Sequence, residues 1–240
     1  MRRQVLVLAA LIAATVFTST SVVAQSALDQ APPALGSRFV VVLDAAHGGS
    51  DSGGRVANLP EKTITLALSV RLRSLLSARG ISVVTTRESD VTLNPERRAQ
   101  IANHAQAQAC LSLHASAVGT GVHLFVSSLA PAQPVSFEPW NAVQAAWVLR
   151  SLALEGMVNS ALQHAGVTVT LGRTPLPVID TMACPAVAVE IAPENDSDHS
   201  DQVSADSPDD PVYQTRVAQA LAAALVEWRS EGGNMGAGQP

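Results

Sequence analysis

Short apolar runs alternate with longer stretches of helical periodicity along most of this chain. Residues 39–43 are continuous, β-branched and too few for a helix, so they read as a buried strand. Ile64, Leu68, Leu72 and Leu75 or Leu76 recur at helical spacing. They predict a helix over about residues 60–79, with Pro60 at its first position and Gly80 at its stop. Residues 81–86 form a second strand. Asn94-Pro95-Glu96 supplies a cap, a first-turn proline and an early acid, which predicts a helix reaching about Gln108. Residues 110–113, 121–127 and 185–189 read as further strands, and 175–179 as a short, ambiguous one. One helical pattern covers residues 140–164 and stops at Gly166; another runs from Pro211 to near Trp228. Strands alternating with helices predict a single α/β domain, a mostly parallel twisted sheet flanked by helices.

The pattern changes before residue 38. Arg2 and Arg3 precede an apolar stretch, residues 5–17, which falls short of the ~20 residues a bilayer span needs. Val22-Val23-Ala24 suits a cleavage site. Residues 1–24 therefore read as a secretory signal peptide, and 25–37, with Pro32, Pro33 and Gly36, as a linker. The domain itself is expected over 38–230 and a disordered tail over 231–240. Export places the mature chain in a periplasm or outside the cell, with membrane contact only through the signal peptide.

Composition narrows the reading further. Hydrophobic residues make up 47% of the chain, enough for a core, and aromatics only 3%, so Val, Leu, Ile and Ala must fill it. The formal charge is −5, and no basic stripe with interleaved aromatics appears, which argues against nucleic-acid binding. Cys110 and Cys184 each begin a strand-like run and read as small buried thiols, although export would permit a disulfide.

The chemistry candidates sit at strand ends. His47 follows the first strand and is flanked by Gly48 and Gly49; His114 and Glu190 end two others. Parallel strands bring such ends to one edge of the sheet, and Glu61 starts the helix that leaves the first loop. Two His and two Glu fit a catalytic zinc, which takes three protein ligands, often His₂Glu, and leaves a fourth position to water. The remaining glutamate would be a base that takes a proton and hands it to a leaving amine. Residue type alone does not say which glutamate is which. His104 and His164 lie in helical patterns and read as solvated or packed. His123 lies in a strand near these residues in sequence order, and its default reading is a strand residue rather than a substrate contact. His199 reads as an exposed loop residue. Trp140 and Trp147 are two helical turns apart, the spacing of core packing. Arg98 and Asn103 read as supporting residues. Asp44 either orients His47 or only ends its strand.

VVVLDAAHGGSDSGG is similar to the opening motif of the zinc-dependent N-acetylmuramoyl-L-alanine amidases of the third amidase family. Glu61-Lys62, Thr86-Arg87, Arg98 with Ala102-Asn103, Leu111-Ser112-Leu113-His114-Ala115, and Pro185-Ala186-Val187 through Val189-Glu190 match further motifs of that family, in family order. The resemblance implies zinc (Zn2+) held by His47, Glu61 and His114, with Glu190 as the catalytic carboxylate. It implies cleavage of the amide between the lactyl group of N-acetylmuramic acid and L-alanine, with peptidoglycan as partner; it names no activator protein. Ala45-Ala46 replace the family's Pro-Gly, which bears on the ligand loop. Residues 191–196 replace its Thr-Gly-Phe-Leu-Ser-Asn, which bears on peptide preference. Alternatives are an amidase-like domain that binds wall peptides without cutting, and a zinc hydrolase of another wall amide. In some relatives the segment between His114 and Glu190 is autoinhibitory; were it so here, Glu138 or Glu155 could occlude the metal, but nothing in the sequence selects that reading.

Overall fold

The structure is a computed structural model that describes residues 38–132, 139–194 and 206–235. The expected signal peptide and linker, Glu138, His199 and the last five residues of the tail lie outside the described residues. The chain runs β1 (Val40–Ala45), β2 (Arg55–Val56), β3 (Leu59–Pro60), α1 (Glu61–Ser77), β4 (Ser82–Thr85), α2 (Pro95–His104), β5 (Ala109–Ala115) and β6 (Val122–Ser127). A 3₁₀ helix (Trp140–Ala146) then leads into α3 (Val148–His164) and β7 (Val169–Thr174). A short 3₁₀ turn (Ile179–Thr181), β8 (Ala186–Ile191) and α4 (Pro211–Met235) complete the chain.

Six strands form one sheet in the order β4-β1-β5-β8-β6-β7, and β2 pairs with β3 in a separate hairpin. β4, β1, β5 and β8 are parallel to one another. β6 runs antiparallel to β8 and carries β7 parallel beside it. The mostly parallel α/β sheet is thus present, with its direction reversed at β8/β6.

Alternation along each strand sorts its side chains onto two faces. Val41, Leu43, Leu111, Leu113, Val187, Val189, Val122 and Leu124 bury one face against α1, α3 and α4. Val42, Cys110, Ala186 and Ala188 turn the other way, toward Ala99 and Ala102 of α2 and toward Ile179 and Met182. The second face is covered only in part. Asp44, Ser112, His114, His123 and Glu190 share its parity.

Several expectations change. Residues 140–164 are not one helix: a 3₁₀ segment kinked at non-helical Ala142 comes first, and α3 starts only at Val148. The 3₁₀ segment places Gln144 in the interior, where its Nε2 donates to the carbonyls of Ile179, Met182 and Cys184. β7 went unread because it is an edge strand, half exposed and interrupted by Gly172 and Arg173. Residues 175–178 form a loop leading into the 3₁₀ turn at Ile179, rather than a strand; Pro175 and Pro177 have no N–H to give a ladder. α4 continues to Met235, past Trp228 and through two glycines of the expected tail. Pro60 is the residue before α1 rather than its first helical residue. Cys110 and Cys184 are a disulfide, not free thiols, with Cα atoms 6.3 Å apart. The β5–β8 pairing that sets Cys110 opposite Ala186 brings the two cysteines within bridging reach. The cap of α2 is as expected: Asn94 Oδ1 accepts from the Arg97 amide at 2.8 Å.

Candidate metal centre

β1 ends at Ala45, and the backbone then turns through His47, whose φ is +62°. Ala45 and Ala46 stay out of the left-handed region, so the Ala-Ala pair costs the loop nothing there. Their carbonyls are clamped instead. Arg98 Nη1 and Arg87 Nε donate to Ala45 O at 2.8 and 2.9 Å. Arg87 Nη2 and Thr65 Oγ1 donate to Ala46 O at 3.0 and 2.9 Å. Arg98 also donates to His47 O at 2.6 Å and pairs with buried Asp44 at 2.7 Å. The arginines of two sequence motifs therefore hold the loop that presents His47.

Among the described residues, His47, Glu61 and His114 form a group whose donor atoms all lie within 4.8 Å of one another. Glu61, at the start of α1, points one oxygen to each imidazole. His47 Nε2 is 3.1 Å from Oε2, and His114 Nδ1 is 3.1 Å from Oε1. The Gly54 and Ala115 amides add bonds at 2.9 and 3.2 Å. Burial alone would push the Glu61 carboxyl up; the bonds from His114, His47 and the two amides outweigh it and hold it well below the usual carboxylate range. His47 is raised, first by its bond to Glu61 and then by Asp51, against desolvation. At Gly53, an added Cβ would come 2.5 Å from the His47 ring and 2.6 Å from Glu61 Oε2, and φ there is +63°. Only glycine lets the chain pass this close.

The outer nitrogens of both histidines are also held. His47 Nδ1 lies 2.8 Å from Asp51 Oδ2. His114 Nε2 lies 3.4 Å from Ser112 Oγ, whose hydroxyl donates to Asp44 Oδ2 at 2.8 Å. Asp44 thus reaches His114 through Ser112, and Asp51, not Asp44, orients His47. Asp51 escaped sequence reasoning because a loop has no fixed period. Ser112 was visible two residues before His114, on the same face of its strand, but nothing in the pattern marked its partner.

Glu190 sits beside His114 in the β5–β8 register. On its other side, across β6, His123 Nδ1 approaches its Oε1 at 3.1 Å. The structure therefore gathers His47, Glu61 and His114 and sets Glu190 alongside. It leaves His104 and His164 at helix ends, each ring nitrogen 2.7 Å from a carbonyl of its own helix. Glu155 lies on α3, against the opposite face of the sheet. An open cavity of about 240 Å³ runs from His47 and His114 along the partly covered face. Leu93, Pro95, Leu176 and Pro177 wall it. Asn103 holds the wall segment, donating to Thr181 O at 3.0 Å and accepting from the Ala183 amide at 2.7 Å.

A family model described as N-acetylmuramoyl-L-alanine amidase, Amidase_3, matches residues 41–227. The chain belongs to this amidase family. The germination-specific N-acetylmuramoyl-L-alanine amidase of Bacillus subtilis is 34% identical over 93 residues, 33% of this chain and 39% of that protein. An N-acetylmuramoyl-L-alanine amidase of Mycobacterium tuberculosis is 30% identical over 159 residues, 61% of this chain and 59% of that protein. The match therefore spans well under half of the first relative and 59% of the second. Among solved structures, the catalytic domain of CwlV, an amidase from Paenibacillus polymyxa, aligns with a TM-score of 0.61 and 25% identity, covering 80% of this chain and 98% of that one. An amidase of Mycobacterium smegmatis gives 0.62 at 20% identity over 80% and 97% of the two chains, a likeness of fold.

Proposed function

We propose that this amidase-family chain hydrolyses the amide between the lactyl group of N-acetylmuramic acid and L-alanine in peptidoglycan, with zinc held by His47, Glu61 and His114. The observation that carries this reading is the convergence of those donor atoms within 4.8 Å, with Glu190 next in register. Two imidazoles and a carboxylate are a set that catalytic zinc takes. The orienting partners at both outer nitrogens are what such ligands need to keep one tautomer and one ring plane. Zinc, when bound, supplies a Lewis acid that polarises a carbonyl oxygen and acidifies a water. Glu190 takes a proton from the attacking water and delivers it to the departing L-alanine nitrogen. The C–N bond breaks, leaving a lactyl carboxylate and a free amino terminus. The open cavity, apolar along Leu93, Pro95 and Leu176, offers the stem peptide a bed beside the metal donors. A substrate in the cell wall accords with the secretory signal read at residues 1–24; among the described residues no helix is long and apolar enough to cross a membrane.

Digestion of purified sacculi tests the reaction. New L-alanine amino termini with intact glycan are expected; binding without products, or a D-amino-acid terminus, would overturn it. Two variants test the roles. Glu61→Ala should lose metal and activity together. Glu190→Gln should keep about one zinc per chain while turnover falls about 10²–10⁴-fold, the scale of general acid–base catalysis. If the Gln variant loses zinc and the Ala variant keeps it, the roles are reversed.

A further inference from the structure

Glu190 occupies the strand at which the sheet changes direction, between two histidines. On the parallel side its register partner is His114, the metal donor; on the antiparallel side it is His123. All three share one face. His123 Nδ1 stands 3.1 Å from Glu190 Oε1. The imidazole is confined, with 16% of its side chain exposed against 33% for Glu190. Its ring meets Phe125 edge-on, with centroids 6.4 Å apart and planes at 80°. The loop before β6 crosses it at Gly119, where an added Cβ would lie 2.1 Å from the ring's Cε1 and 2.6 Å from Nε2. Phe125 is backed in turn at Gly172, where a Cβ would meet its ring at 2.9 Å. Two glycines and a phenylalanine thus fix the plane of a histidine whose other side faces the carboxylate. A histidine serving only to fill a strand needs no such fit and no carboxylate partner.

We propose that His123 is the positioning residue for Glu190: its ring nitrogen anchors Oε1 and so presents the carboxylate toward the scissile amide. This rests on the proton-carrying role assigned to Glu190 above. A carboxylate side chain has several rotors, and a proton carrier is effective only while it stays in line with the atoms it serves; a misplacement of about 1 Å costs on the order of 10²-fold. One anchored oxygen leaves the carboxylate a single remaining swing.

The test is a cycle of variants on a soluble N-acetylmuramoyl-peptide, reading kcat, KM, zinc content and thermal midpoint. His123→Ala should lower kcat about 10–100-fold with KM and zinc content unchanged. His123→Asn, whose amide nitrogen can sit where Nδ1 does, should recover most of the loss. Gly119→Ala, which pushes the ring aside, should behave like His123→Ala. In the Glu190→Gln background, His123→Ala should cost little more, because the two residues act as one unit. An unchanged kcat in His123→Ala, an equal loss in both backgrounds, or lost zinc would overturn the proposal. If His123→Ala fails to fold, His123→Asn decides: activity near that of the native chain supports the anchor, and a folded, zinc-loaded, inactive Asn variant overturns it. Full activity in Glu190→Gln alone would instead bring down the role of Glu190, and the anchor with it.

Discussion

His47 depends on a residue four positions on that contributes nothing to a helix or strand. Asp51 accepts from Nδ1 at 2.8 Å and is itself steadied by the Gly53 amide at 3.0 Å. With His47 as the first cause, these bonds draw its carboxyl below the usual range. An orienting carboxylate of this kind is worth about 10–100-fold in metal affinity. Asp51→Asn should therefore weaken zinc binding by that factor, measured by competition with a chelator, while leaving the thermal midpoint of the metal-free chain nearly unchanged. Equal affinities in the two proteins would show that the loop alone fixes the ring. At this scale the sequence was legible where chemistry met a strand end, at His47, His114 and Glu190. It was illegible where it depended on a turn, as at Asp51, or on a reversal of strand direction, which alone brings His123 to Glu190.

Among the elements, the segment before β8 carries an unusual density of fastenings. Asn103 of α2, Gln144 of the 3₁₀ helix and the Cys110–Cys184 bridge all hold it. The same segment walls the cavity, so the wall is fixed from three elements rather than by its own structure. Sequence gave no hint of this convergence, because each fastening spans a long stretch of chain and the proline-rich wall has no period. The disulfide closes a loop of sequence separation 74, which on a chain-entropy estimate constrains the unfolded state by about 4 kcal/mol. Reduction should lower the unfolding free energy by roughly 2–5 kcal/mol, read from urea melts with and without a thiol. Coincident melts would show that packing, not the bridge, holds the wall. The helices, in contrast, were readable: α1 from its apolar stripe and α2 from its cap, since both signals are local.

For the whole molecule, pH acts at a place remote from the proposed metal donors. Glu155 is buried on α3, and its Oε1 has no hydrogen-bond partner among the described residues. Burial pushes its carboxyl up to about 7 from 4.5, with Arg173 opposing. The folded chain thus holds this proton more tightly than the unfolded chain does. Its contribution to stability is largest below about 4.5, declines as pH rises toward about 7, and is level above. Glu155→Gln removes that decline. The variant's thermal midpoint, relative to the native chain, should rise between about pH 5 and about pH 8, as followed by calorimetry. A difference independent of pH would mean that Glu155 is solvated. The α/β class itself was legible from alternation and run length; the switch of direction at β6 was not, because an antiparallel neighbour leaves no mark on a strand's own sequence.

The adjacency of β5 and β8 has a consequence in time. A chain made from its amino end holds His47, Glu61 and His114 well before β8 exists. Until β8 arrives, one edge of β5 stays unpaired and Cys110 has no cysteine to meet. A nascent chain can therefore carry the proposed metal donors while it still lacks the carboxylate assigned to proton transfer. The candidate site is complete only once β8 is in place, the strand that follows Cys184 and joins the two directions of the sheet.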